Sequence, residues 1–307
     1  MAININLHSL KSSSQIDHNA LYENPKDFDF ISSLAEQPAQ PPFKDFPLPF
    51  SPILKLNDIP YVLCNEEGQR DVLTLLESIP HSENGIHLGF SCWFNYDCIS
   101  IRSPSKAIIC DIDQNTIAVL NMIKRIVADS KNSDQFMELF WKALQENPDL
   151  DFPGLIAEQG ECLNYDRFCL KMKTNGGWLS SEEHFEVIKR MYRDGLIIHC
   201  QLNIAKDVSA FDSLQQWAIQ NKLSFDTIYI SNIPEWLFIH SKDQLSQMKT
   251  NLNKLLDAKT YVLSAWKKMM TKGSPELHFG LGSIPEMSYD SLKKRPYLRL
   301  RRENSDL

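Results

Sequence analysis

The sequence predicts an α/β fold, doubly wound, with a mostly parallel sheet covered by helices on both faces. Two observations carry this. Apolar runs of strand length recur along the chain, continuous rather than alternating, as strands buried on both faces require. Between them lie longer stretches whose apolar residues return every three or four positions, the period of a helix with one buried side. A third observation places a site on that sheet. The stretch Gly85–Asp113 ends its first apolar run with Gly89 and its second with Asp111, a turn glycine and a strand-end acid, as nucleoside-binding sheets do.

In chain order, residues 1–56 are rich in Ser, Asn and Pro, with six prolines in AEQPAQPPFKDFPLPFSP, 35–52. Proline cannot continue a helix or sit in a central strand, so this segment is expected to form an N-terminal extended arm, docked through Phe43, Phe46 and Phe50, with a disordered leader as the alternative for residues 1–25. Residues 57–307 are expected to form the α/β domain, with a helical insertion at about 130–180. Val72, Leu73, Leu75, Leu76 and Ile79 mark a first helix ended by Pro80. Strands follow at Gly85 and at 106–111. Asp113 opens a helix through about Ala128, and another covers about Ser133–Gln145. Residues 147–180 are less regular. Ser180-Ser181-Glu182-Glu183 starts a helix that Gly195 stops. Leu196–Ile204 is the third strand, Phe211–Ala218 a helix, and Phe225–Ile230 the fourth strand. A helix at about Lys242–Leu256 and a strand at Thr260–Leu263 come next. His278–Leu281 and Tyr297–Leu300 would complete a seven-stranded sheet, with the basic 293–302 segment as a charge-protected edge.

The composition is that of an ordinary folded domain, 43% hydrophobic and 23% charged. A net charge of −7 does not favour nucleic-acid binding through phosphate neutralisation. No apolar run approaches the ~18–20 residues of a membrane span, and the N-terminus lacks the pattern of a secretory signal. Seven scattered cysteines read as buried free thiols of a reducing, cytoplasmic compartment. No Cys/His spacing suggests a metal site.

In an open parallel sheet, ligands bind beyond the carboxyl ends of the strands. The residues there are Gly89, Asp111 with Asp113, Asn203, and Ser231-Asn232. Gly89 would let backbone approach a ligand, or simply turn the chain. Asp111 has the acceptor pair for two ribose hydroxyls; Asp113 reads as the cap of the next helix. Asn203 has a donor and an acceptor for an adenine edge. Ser231-Asn232 faces the same edge, with an Asx turn into Pro234 as the competing role. His87 and His199, inside strands, read as packed or hydrogen-bonded residues.

Five segments, HLGFSCWFNY, IICDIDQN, WLSSEEHFEVIKRMYRDG, CQLNIAKD and YISNIPEWL, resemble an uncharacterised bacterial family of class I methyltransferase-like proteins. That family has a GVGPEQN-type loop, an IVDIRRQN-type second strand, a WLS helix opening, a QGDL-type third strand end and a YLSNVEQYL-type fourth strand. The resemblance covers about residues 85–240. It aligns Gly89 with the second loop glycine, Asn95 with the loop asparagine, Asp111 with the strand-end acid, and Asn203 with the acid of QGDL. Ser231 and Asn232 match outright. His87 stands where the family has its first glycine, and Phe90, Trp93 and Phe94 surround the loop.

The resemblance implies a methyltransferase-like, Rossmann-like sheet and S-adenosylmethionine as cofactor. Asp111 would hold the ribose, the Gly89–Asn95 loop the methionine part, Asn203 the adenine, and Ser231-Asn232 the acceptor side. The acceptor, a small molecule or a protein, is not legible, nor is the oligomeric state. The alternative is a non-enzymatic protein of the same fold, its pocket filled by Phe90, Trp93 or Phe94, acting as a protein-binding module or a bacterial effector secreted into a host cell. A nicotinamide-dependent oxidoreductase is a third option, against which stands the missing G-x-G-x-x-G.

Overall fold

Continuous apolar runs become the central strands: β1, Gly85–Phe90; β2, Lys106–Asp111; β3, Ile197–Gln201; and β4, Ser224–Tyr229. In the computed structural model, which describes residues 46, 69–146, 165–257, 259–268 and 276–281, they are joined by β5, Tyr261–Lys268, and β6, Glu276–Leu281. The order across the sheet is β3-β2-β1-β4-β5-β6. The first five strands run parallel, and β6 folds back antiparallel on β5. The seventh strand expected at Tyr297–Leu300 and the basic segment 293–302 lie outside the described residues. So does the expected N-terminal arm, apart from Phe46, whose ring meets Trp217 edge-on at 5.1 Å.

Helices α1, Gln69–Ser78; α2, Phe94–Arg102; α3, Gln114–Asp129; α4, Ser133–Glu146; α5, Tyr165–Thr174; and α6, Glu182–Arg193, precede β3. Helix α7, Val208–Gln220, joins β3 to β4, and α8, Ile233–His240, with α9, Lys242–Asn253, joins β4 to β5. The two faces of the sheet separate by alternation along β2. Ala107 and Ile109 join one apolar cluster with Trp93, Phe136, Phe140, Trp178 and Phe185. Ile108 and Cys110 join the other with Phe211, Leu214, Trp217 and Met248. The first face is thus covered by α3 to α6 and the second by α7 and α9. A smaller cluster sets α1 and α2 against Tyr229 and Leu263.

Helices α2 and α8 were not foreseen, and α5 was expected only as part of a helical insertion at about 130–180, without its own bounds. In α2 nearly every residue is buried, polar ones included, so its sequence FNYDCISIR has no apolar period. In α8, IPEWLFIH is apolar almost throughout and starts with proline in its first turn. In α5 only Phe168 and Met172 are fully buried, too few to set a pattern. The third strand is shorter than the apolar run, because Leu202 and Asn203 leave the ladder to build a turn. Cys92, Cys98, Cys110, Cys169 and Cys200 are free thiols, all but Cys169 buried. No described helix is long and apolar enough to cross a membrane.

Candidate functional site

Beyond the carboxyl ends of β2, β3 and β4 lies a cavity of about 420 Å³, within the size range of small-molecule sites. It straddles the place where the chain, having run outward from β1 to β2 and β3, returns to β4 on the other side. This is the switch point at which open α/β sheets place ligands. Asp111, Asn203, Ser231 and Asn232 all line it. Gly89 and Asn95 do not; they lie underneath.

The floor is built around Asn95, which is fully buried. Its Nδ2 donates to the carbonyls of Phe90, Ser91 and Cys92, at 3.3, 3.0 and 3.0 Å. That leaves its Oδ1 facing His87 Nε2 at 3.0 Å. An acceptor there requires the proton on Nε2, so His87 Nδ1 accepts from the Thr227 hydroxyl at 2.8 Å. Burial holds the imidazole neutral, its pKa lowered to about 4. A Cβ at position 89 would stand 1.5 Å from Asn95 Oδ1 and 2.8 Å from His87 Nε2. Glycine is required here so that the amide can close the loop. The loop's shape is completed by Ser91, whose φ is +74° and whose N–H donates to the Cys110 carbonyl at 3.0 Å.

Asp111 ends β2 with its Oδ1 accepting from the Asp113 N–H at 2.8 Å. Burial raises its pKa to about 7, against the opposing pull of N–H groups from Asp113, Ile112 and Ser91. Asp113 caps α3, accepting from the Asn115 N–H. Asn203 spends its Oδ1 on the N–H groups of Ala205 and Lys206, both at 3.0 Å. Of the donor and acceptor expected for an adenine edge, only the Nδ2 donor is left. Asn232 begins α8 without a side-chain cap bond; the Asx turn that competed for it is not made. Ser231 has φ +49°, so two serines in a conformation that costs non-glycine residues energy flank the cavity, after β1 and after β4.

Several lining residues escaped sequence reading: Ser91, Ile112, Tyr229, Trp236 and Gln244. Ile112 follows directly on Asp111, so the strand-end rule that found the acid could have found it. Trp236 needed α8 to be foreseen. Phe90, Trp93 and Phe94 touch the cavity, but their rings belong to the cores. Trp93 packs 5.3 Å from Phe140 and 5.4 Å from Trp178, and Phe94 lies edge-on to Tyr229 at 5.1 Å. The space directly over Gly89 holds Asn95. Among the described lining residues Asp111 is the one acid, and none is Lys, Arg or His. Among the described residues no group of three or more His, Cys, Asp or Glu could hold a metal ion.

The family described as "Domain of unknown function (DUF7790)" matches residues 61–150 and 165–289. Comparison with curated proteins gives no match. Among solved structures, the rRNA methyltransferase aviRa from Streptomyces viridochromogenes is similar at 10% identity and a TM-score of 0.34, over 67% of this chain and 76% of that one.

Proposed function

The chain belongs to the DUF7790 family, whose match spans well over half its length, and we propose that it is an S-adenosylmethionine-dependent methyltransferase-like protein. One observation carries this reading. The cavity at the switch point is bounded by a strand-end carboxylate, and no described residue lining it is cationic. A dinucleotide needs donors or positive charge for its pyrophosphate. Here the loop after β1 instead turns three carbonyls onto Asn95. A nucleoside carrying a sulfonium, with no phosphate, fits such a lining: the ribose hydroxyls donate to Asp111 and the positive charge meets no cationic side chain among the described lining residues.

In this assignment Asp111 holds the ribose, and the Asn203 Nδ2 donates to an adenine ring nitrogen. Ser231 and Asn232 lie on the acceptor side. Gly89 and Asn95 act from beneath, by fixing the loop that forms the cavity floor. When bound, the cofactor would supply an activated methyl group on sulfur for transfer to an acceptor lone pair, the carbon–sulfur bonding pair remaining on sulfur and the acceptor's proton leaving to water. The protein's contribution is alignment of the two partners rather than covalent help. The non-enzymatic alternative predicted an aromatic ring over Gly89; Asn95 in that place, with the cavity open beside it, favours the enzyme reading.

Calorimetry with S-adenosylmethionine tests it. Binding in the wild type that is lost in Asp111→Ala, with the fold intact by circular dichroism, is the expected result. No heat and no thermal shift at millimolar ligand would overturn the proposal.

A further inference from the structure

The two halves of the cavity differ in chemistry. On the β2–β3 side stand the acid Asp111 and the Asn203 amide, while the polar groups on the β4 side are the neutral Ser231, Asn232 and Gln244. On the β4 side stands Trp236, in the first turn of α8, 57% exposed and lining the cavity. Large exposed apolar side chains among the described residues are Ile112, Leu170, Val208, Ile219 and Trp236, and two of the five border this one opening. The indole is not a loose surface group. His240, one helical turn on, stacks against it with ring centroids 5.3 Å apart and planes 17° apart. That contact fixes the ring's attitude and occupies part of its surface while more than half the residue stays open to solvent.

A held indole at the mouth of a small-molecule cavity recognises flat π systems, because offset stacking is favourable whatever hydrogen-bond pattern the partner carries. The lining also sets charge. Around Trp236 the described lining residues Ser231, Asn232, Leu237 and Gln244 include no Lys, Arg or His, so a phosphate or carboxylate on an occupant stacked there would find no counter-charge among them. We propose that the β4-side half of the cavity is the acceptor subsite, and that it takes a flat aromatic or heteroaromatic small molecule without phosphate or carboxylate, stacked on Trp236. The word acceptor rests on the methyltransferase reading; the stacking site does not.

The test uses the full chain, with quinoline as the flat neutral probe, quinoline-2-carboxylate as its anionic counterpart and cyclohexanecarboxamide as a saturated one, titrated by ligand-observed NMR. Wild type should bind quinoline in preference to the other two. Trp236→Ala should weaken quinoline by roughly tenfold, the loss typical of a removed stacking partner, and Trp236→Phe should retain most of the affinity. S-adenosylmethionine, titrated separately, should bind Trp236→Ala as it binds wild type. Quinoline affinity unchanged in Trp236→Ala, or matched by the saturated or anionic probe, overturns the stacking subsite. Trp236-dependent quinoline binding without any binding of S-adenosylmethionine supports the subsite and removes the cofactor reading instead.

Discussion

Asp111 and Asp97 are two carboxyls raised to about 7 by burial, and they have opposite consequences. Asp111 faces a cavity. A ribose bound through its ionised form should be held more tightly as pH rises toward 7, by up to roughly tenfold per unit, and evenly above that. Asp111→Asn should abolish this slope together with most of the affinity; calorimetry at pH 6, 7 and 8 checks both. Asp97 is fully buried and is not among the residues lining that cavity. Its Oδ1 accepts from the Trp178 N–H at 2.9 Å, and its Oδ2 has no partner. With the folded pKa above the ordinary 3.8, the folded state holds the proton longer than the unfolded chain. Stability from this group is therefore fully present below about 4 and lost as pH rises through 7. Asp97→Asn keeps the acceptor and cannot ionise. Its unfolding free energy should gain on wild type from pH 5 to about 7 and level off by pH 8, by an amount on the order of 3 kcal/mol, above a constant offset for the new amide donors. A free-energy difference flat in pH would mean that Asp97 is not the group responsible. Of such roles the sequence discloses only part. The acid at the end of a strand was legible, because strand ends in a parallel sheet face one edge. That Asn203 would spend its oxygen on its own turn was not, since the same residue type serves either purpose.

At the scale of elements, the loop from β1 into α2 stands on one side chain. Asn95 supplies donors to three carbonyls and the acceptor for His87. Asn95→Ala should cost roughly 2–4 kcal/mol, since it leaves buried carbonyls and an imidazole N–H without partners. Asn95→Asp should cost at least as much, because a carboxylate oxygen would face those carbonyls; urea denaturation decides whether Asp is milder. The four central strands were legible for a simple reason: strands buried on both faces are continuous apolar runs. The amphipathic helices α3, α4, α6 and α7 were legible because each buries one side only. α2 failed that rule. It packs against β1, α1 and α6, so it has no solvent side, and its Asn, Asp, Ser and Arg are buried with partners inside the protein. A helix buried all round gives no period to read; Asn95 was reached through the family resemblance, but the helix that carries it, and its role beneath the loop, were not.

The whole molecule is drawn together at the opposite end of the sheet from the cavity. Arg102, 2% exposed, makes a two-pronged pair with Asp226, Nε to Oδ2 and Nη2 to Oδ1, each 2.9 Å. It also donates to the carbonyls of Leu76, Ile79 and Pro80. One guanidinium thus joins the end of α1, the end of α2 and the start of β4. Lysine lacks the planar fork for this, and Arg102→Lys should cost about 3–5 kcal/mol, the loss expected when a buried pair is broken, measured as a lowered denaturant midpoint without change in slope. In the sequence this pairing was invisible, because its partners lie 124 positions apart.

The loop after β1 closes on its own asparagine, through three carbonyls and an imidazole. Loops that take their shape from a bound phosphate or sugar must order during association, which slows capture and makes the observed rate level off as ligand concentration rises. A loop already set has no such step. Mixing S-adenosylmethionine with the protein in a stopped-flow instrument should therefore give a single exponential whose rate climbs linearly with concentration, without a plateau. A saturating rate would mean that the ground conformation is not the one that receives the ligand. The asparagine amide would then be a latch that opens, and the kinetics would report its release.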